Sequence, residues 1–217
     1  MKKIAKFIVG LLLIVVVLGI ALVYSRPMTL GDVFYKHEMY GISASLYERG
    51  YNSTNTVEDL YKLCQAYVRN PKPDYGKEVN YLGKLLKEEQ FLSTKSDSDL
   101  IKVEYLQALF NTGQKEKFKQ YLSQAKFDEE IDSNFRVMGM VLSNSKSTND
   151  DYEVAIEQGA KLLKGQTLND KLLVLYPYMI DLYKKVGDDK SAQKYSDDLK
   201  SYMNEHNINN NNNGKVG

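Results

Sequence analysis

Two histidines, one cysteine and several adjacent acidic pairs are where chemistry would begin in this chain of 217 residues. His37 and His206 lie far apart in sequence, and neither has a His, Cys or acidic neighbour at a metal-ligand spacing such as H-E-x-x-H. Packing or exposure accounts for both. Cys64 falls on the apolar face of a helical stretch, where a thiol is inert, because reactive cysteines need an electropositive, accessible setting. The pairs Glu129-Glu130, Asp150-Asp151, Asp188-Asp189 and Asp197-Asp198 have the composition of acid/base dyads. The first three fall at predicted helix starts, where negative charge complements the helix dipole, and the fourth on a solvated helix face. Lys115, Lys117 and Lys119 are interleaved with Glu116 and read as solvated positions. Asn52-Ser-Thr54 matches a glycosylation sequon, a pattern short enough to arise by chance. The sequence has no phosphate-cradling glycine loop, Walker lysine, G-x-S-x-G elbow or EF-hand loop. Catalytic, cofactor and metal sites are therefore all expected to be absent.

The elements that would position any site divide the chain unevenly. Residues 1–6 form a basic tail with Lys2, Lys3 and Lys6. Residues 7–24, FIVGLLLIVVVLGIALVY, form an uninterrupted apolar run. As a helix of 1.5 Å rise per residue it spans roughly 27 Å, near the lower limit for crossing a bilayer. The lysines put the N-terminus in the cytoplasm and the remainder across the membrane. A cleaved signal is the competing reading, with Gly19-Ile20-Ala21 as the cleavage site and a secreted product. The continuing apolar character through Tyr24 favours an uncleaved anchor. Residues 25–29 serve as a linker, with Pro27 ending the membrane helix.

Three of the 29 basic residues precede the run and no acidic residue appears before Asp32, so the remainder holds 26 basic residues against 28 acidic ones. That near-neutral balance gives no electrostatic ground for a nucleic-acid partner. A single cysteine excludes an intramolecular disulfide.

From residue 30 to 206 the pattern is helical throughout. Thr29-Leu-Gly-Asp32 has the form of a capping box opening a helix to about Gly50, with Val33, His37, Tyr40, Ala44 and Tyr47 on its buried face. Thr56 opens the next helix, whose face is Val57, Leu60, Tyr61, Cys64, Tyr67 and Val68. Asp74 caps a helix burying Tyr75, Val79, Leu82 and Leu86. Ser96-Asp-Ser-Asp99 caps one carrying Leu100, Val103, Leu106, Leu109 and Phe110, which Gly113 terminates. Phe118, Tyr121, Leu122 and Ala125 line a fifth helix; Ile131, Phe135, Met138 and Leu142 a sixth. After a loop over 143–149, Tyr152, Ala155, Ile156, Gly159 and Leu163 mark a seventh. The eighth spans about 170–186, with Pro177 as a kink or a late start. Gly187 closes it, and the ninth carries Ala192, Tyr195, Leu199, Tyr202 and Met203. Residues 207–217 are asparagine-rich, have nothing to bury and are expected to be disordered.

Two segments share a layout. Leu109 stands four residues before Gly113, with Phe118 five and Ala125 twelve after it; Tyr183, Gly187, Ala192 and Leu199 repeat those offsets. In this the chain resembles the tetratricopeptide repeat, a helix hairpin of about 34 residues. The resemblance spans most of residues 30–204 and is degenerate: Phe118 stands where the family prefers alanine, and unit lengths vary. It implies an all-α fold, a single N-terminal transmembrane helix followed by a TPR-like solenoid of antiparallel hairpins. It also implies a groove with Gln107, Phe110 and Asn111 in one unit and Asp181, Lys184 and Lys185 in the other. The lysine–asparagine clamp with which some members hold a carboxylate is not reproduced at those positions. The groove would instead take a peptide or a helix through aromatic and amide groups.

The expected function is a non-catalytic protein–protein interaction scaffold or assembly factor, anchored in the membrane with its domain outside the cytoplasm. Its partners would be a protein or peptide and the membrane, with no cofactor, nucleic acid or small-molecule substrate. The alternatives are an extracytoplasmic hydrolase or transglycosylase using one glutamate of raised pKa in a deep cleft, and a cytosol-facing anchored receptor.

Overall fold

The computed structural model describes residues 25–206 together with positions 12, 14, 17, 19 and 21, which are helical and exposed. The rest of the run 7–24 and the whole tail 207–217 lie outside the described residues. Among the described residues no helix is long and apolar enough to cross a membrane. The regular structure described is helical without a strand, and it forms two compact units divided between Gly113 and Gln114.

The first unit contains α1 (Pro27–Lys36), α2 (Tyr40–Thr54), α3 (Val57–Arg69), α4 (Tyr75–Leu85), a single turn α5 (Glu89–Leu92) and α6 (Ser98–Asn111). Sequence neighbours pack as pairs: α1 on α2, α2 on α3, α3 on α4 and α4 on α6. The clearest local logic belongs to α3. Thr56 accepts the amide of Asp59 at 3.3 Å, Glu58 and Asp59 supply negative charge to the first turn, and Leu60, Leu63, Cys64 and Tyr67 form one buried stripe. Pro71, two residues beyond Arg69, prevents continuation. Asp74 caps α4 through the amide of Lys77 at 3.1 Å. Leu63, Cys64, Ala66, Leu82, Leu85 and Ile101 form the fully enclosed centre of the unit.

Several expected boundaries and faces move. The helix expected from Thr29 to Gly50 is two helices, broken at His37–Met39, with Glu38 at a φ of 58°. It begins at Pro27, whose missing N–H costs nothing at the first helical position, so Thr29 is not its cap. Val33 and His37 are exposed as a result, while Ala44 and Tyr47 are buried. On α4 the buried stripe runs through Glu78, Tyr81, Leu82 and Leu85, leaving Val79 and Leu86 half-buried. Asp97, before α6, gives its side chain to α3 instead of capping.

The second unit contains α7 (Lys115–Gln124), α8 (Glu130–Ser143), α9 (Asn149–Leu163), a 3-10 turn (Leu172–Leu175), α10 (Tyr176–Lys185) and α11 (Asp189–Glu205). Here α8 packs on α9, α9 on α10, and α10 on both α8 and α11. Gly159 of α9 lies where a Cβ would overlap the ends of Met138 and Met179, so its lack of a side chain permits the close crossing. On α8 the interior takes Val137, Met138 and Val141, with Ile131, Phe135 and Leu142 half-buried. Pro177 sits in the first turn of α10, so of the two readings open to it, a kink or a late start, the structure has the late start, and the helix expected from about residue 170 begins at Tyr176. Gly187 turns the chain into α11 at a φ of +78°, and Ala192 is buried five residues later. Tyr195 stacks on Tyr183 with centroids 5.5 Å apart and meets Tyr176 edge-on at 5.3 Å, closing that hairpin. Ala125, given a helical place in sequence, lies just past α7 in extended backbone.

Candidate functional site

Carboxylates in the first unit are distributed along the joints between helices. Asp32 of α1 accepts the Tyr47 hydroxyl of α2 at 2.7 Å and the Lys62 ammonium of α3 at 2.9 Å. Glu48 of α2 accepts Lys77 at 2.7 Å and Tyr81 at 2.9 Å, both on α4. Burial works to raise both carboxyls, but these donors outweigh it and hold Asp32 and Glu48 below the usual range. Asp97 receives Tyr61 at 2.6 Å and Gln65 at 3.0 Å. Each of these acids joins two or three helices by charge-assisted hydrogen bonds.

In the second unit Asp151 is fully buried, and one of its oxygens accepts three hydrogen bonds. Lys115 reaches it at 2.7 Å, while the Thr148 amide and hydroxyl both reach it at 2.8 Å. Burial opposes its charge, yet the Lys115 and Thr148 bonds keep it below the usual carboxylate range. Lys115 is thus an ion-pair partner and not the freely solvated lysine that the sequence suggested. Glu129-Glu130 and Asp188-Asp189 do stand at the starts of α8 and α11, where Asp188 accepts the Ser191 amide at 3.0 Å.

One acid breaks this pattern. Glu78 is 2% exposed, and neither carboxylate oxygen has a hydrogen-bond partner. Burial, then the negative charges of Glu104 and Asp74, push its carboxyl up to about 7. Its place is not among the expected buried positions of this helix, Tyr75, Val79, Leu82 and Leu86, although Tyr75, Glu78, Leu82 and Leu85 follow helical spacing with a glutamate on the stripe.

The first unit has a recess of about 300 Å³ between the α2–α3 bend and the end of α4. Tyr51, Asn55, Val57, Leu60, Lys84 and Lys87 line much of it, and Lys84 hovers 5.8 Å from the Tyr51 ring centroid. A recess of that size admits one or two side chains. In the second unit Ile131, Leu162, Gln166 and Leu172 border a smaller one of about 190 Å³.

The residues named for a groove fall in both units. Gln107 is half-buried, with its amide 3.4 Å from the Tyr75 hydroxyl; Phe110 is 7% exposed and belongs to the interior; exposed Asn111 donates to the Gln107 carbonyl at 2.9 Å. Asp181, Lys184 and Lys185 are exposed together on α10. His37 and His206 are exposed, whereas Cys64 is enclosed, which pushes its thiol far up. Among the described residues no group of three or more His, Cys, Asp or Glu side chains is placed to hold a metal ion. Compared with protein-family profiles, curated proteins and solved structures, the chain matches none of them.

Proposed function

We propose that this is a membrane-anchored protein with a helical domain that binds a protein or peptide partner outside the cytoplasm, as a non-catalytic scaffold at the cell envelope. The observation that carries the reading is the exposure of Leu12, Ile14 and Val17, at 58%, 58% and 61%, on helical positions just upstream of a domain made of packed helix pairs. Side chains of that kind, in a run without a charge, partition into hydrocarbon and not into water. Lys2, Lys3 and Lys6 before the run favour a cytoplasmic N-terminus. The adjacent helix pairs are read as degenerate tetratricopeptide units, with Gly187 as the turn of the clearest one. Carboxylates that join helices support a scaffold, because an acid engaged in two or three interhelical bonds is not available to a substrate.

Two experiments test this. Protease added outside intact cells should digest the domain and leave a fragment near the N-terminus; full protection in sealed right-side-out membranes would overturn the topology and favour the cytosol-facing reading. Photo-crosslinkers placed at Gln107, Asn111, Asp181 and Lys184 in living cells should yield a recurring protein adduct. The absence of adducts at all four positions would overturn the groove.

The hydrolase reading gains one specific observation, the raised carboxyl of Glu78. Its oxygens are enclosed, however, so no substrate atom reaches them in this conformation.

A further inference from the structure

Glu78 is an exception to how proteins treat buried acids. A buried carboxylate normally collects several donors, and one without any strongly favours its neutral form. The surroundings of Glu78 offer little compensation: the backbone at Asp74 favours the ionised form only weakly, and burial and two like charges outweigh it. At the start of α4 the capping Asp74 is negative; on the helix, Lys77 is engaged by Glu48 at 2.7 Å, and Lys84 lies over the Tyr51 and Tyr81 rings. From α6 comes Glu104, a like charge, while Lys102 pairs with Asp99 at 2.9 Å. From α3, Lys62 pairs with Asp32, Arg69 meets Tyr35, and Tyr67 stacks on Tyr81. The charges that act most on Glu78 are the negative ones of Glu104 and Asp74. Neither histidine lies on these helices.

We propose that Glu78 is a proton-operated latch between α4 and α6: its neutral carboxyl lets the helices close, and its ionisation opposes Glu104 and loosens them. The packing of the joint makes the consequence local. α4 approaches α6 closely enough that a Cβ on Gly83 would stand 3.2 Å from the Tyr105 ring, and Tyr75 meets Gln107 one turn away from Glu78. Hydrating a carboxylate there requires these contacts to part. The sign follows from the raised carboxyl. Its contribution is fully present below the ordinary value of 4.5 and is lost as pH rises through about 7. Loosening on the alkaline side exposes the Tyr75–Gln107 edge of the first unit.

Hydrogen exchange read by mass spectrometry on the full chain in detergent micelles, corrected for intrinsic rates, tests this between about pH 5 and pH 8. The opening equilibrium of amides in α4 and α6 should rise at least about tenfold, below a ceiling of roughly 300-fold set by a carboxyl moved from 4.5 to about 7. Glu78→Gln and Glu78→Met should both remove the pH dependence, and Glu104→Gln should keep it with its midpoint lowered. A flat wild-type profile would overturn the latch, as would a dependence that persists in both Glu78 variants. Should the variants fold poorly, carboxyl-carbon NMR of the wild-type chain reads Glu78 directly, and a midpoint at the ordinary glutamate value overturns the proposal.

Discussion

The phenolic hydroxyl of Tyr61 on α3 donates a 2.6 Å hydrogen bond to Asp97, the residue that precedes α6. Gln65, one turn further along α3, donates to the other carboxylate oxygen at 3.0 Å and to the Tyr61 hydroxyl at the same distance. The start of α6 is thereby held to the middle of α3 by polar groups at the edge of the apolar centre.

Removing this bond should be measurable without disturbing the helices. Tyr61→Phe is expected to destabilise the protein by about 1–2 kcal/mol, the range for a hydrogen bond to a charged acceptor that keeps some solvent. A double-mutant cycle with Asp97→Ala, followed by denaturant unfolding, should show a coupling above about 0.5 kcal/mol. Additive effects would mean that the contact contributes nothing to stability.

The α1–α2 crossing depends on a missing side chain. A Cβ on Gly31 would stand 2.5 Å from the Tyr47 ring, which is buried and tied to Asp32. Gly31→Ala should destabilise by about 1–3 kcal/mol through overpacking. Gly41→Ala is the control, since its nearest neighbour, Asn70, would be at an ordinary 3.6 Å. It should leave stability unchanged or raise it by up to about 1 kcal/mol. Equal losses at the two positions would refute the close approach.

Asp151 predicts the acid limb of the second unit. Its carboxyl lies below the usual range despite burial, because Lys115 and Thr148 bind the ionised form. The stability it contributes is therefore present above the ordinary value of 3.8 and is lost as pH falls below it. Asp151→Asn should lower stability at neutral pH by about 1–2 kcal/mol, chiefly through the cap, and should flatten melting temperature against pH in the acid range. An unchanged acid limb in that variant would contradict the assignment.

Gly187 offers a backbone test with little steric interference. At a φ of +78° a Cβ would meet nothing within 4 Å among the described residues, so Gly187→Val measures chiefly conformational strain. A loss above about 1 kcal/mol is expected, and Gly113→Val, at +73°, should behave alike. Lys117→Ala removes only an exposed bond to Gln114 and should change stability by no more than about 0.5 kcal/mol. If the glycine variants unfold at the parent's denaturant midpoint, these turns do not need positive φ.

What could be read from the chain was whatever depends on near neighbours. Thr56 and Asp74 cap helices as their positions imply, Gly113 and Gly187 turn left-handed, and Pro177 marks a start, each through chemistry within a few residues. The break at His37–Met39 was not legible, because Glu38 enters positive φ without the glycine, asparagine or proline that usually announces it. Nor was the role of Asp32: its cap-like spacing from Thr29 is local, whereas its bonds to Tyr47 and Lys62 span 15 and 30 residues. Lys115 shows the same limit, since an apparently solvated lysine finds Asp151 36 residues later. Glu78 is different in kind. Its stripe position was visible, and reading it required giving the spacing more weight than the charge.

The tyrosine hydroxyls at the helix joints set a boundary at the basic end of the pH scale. Tyr47, Tyr61 and Tyr67 are held well above the ordinary phenol value of 10.0, first by burial and then by neighbouring carboxylates, and Tyr81 and Tyr195 are pushed up to about 12. In the folded chain these phenols stay neutral where a free tyrosine would already be an anion. The stability they contribute is present below 10.0 and drains away as pH climbs through the folded values. Alkali should therefore strip protons in two stages, gradually from the exposed rings and then abruptly from the enclosed ones as the helices separate. With 17 tyrosines and no tryptophan, the ultraviolet band of phenolate follows that second stage without interference, so the chain carries its own optical record of coming apart.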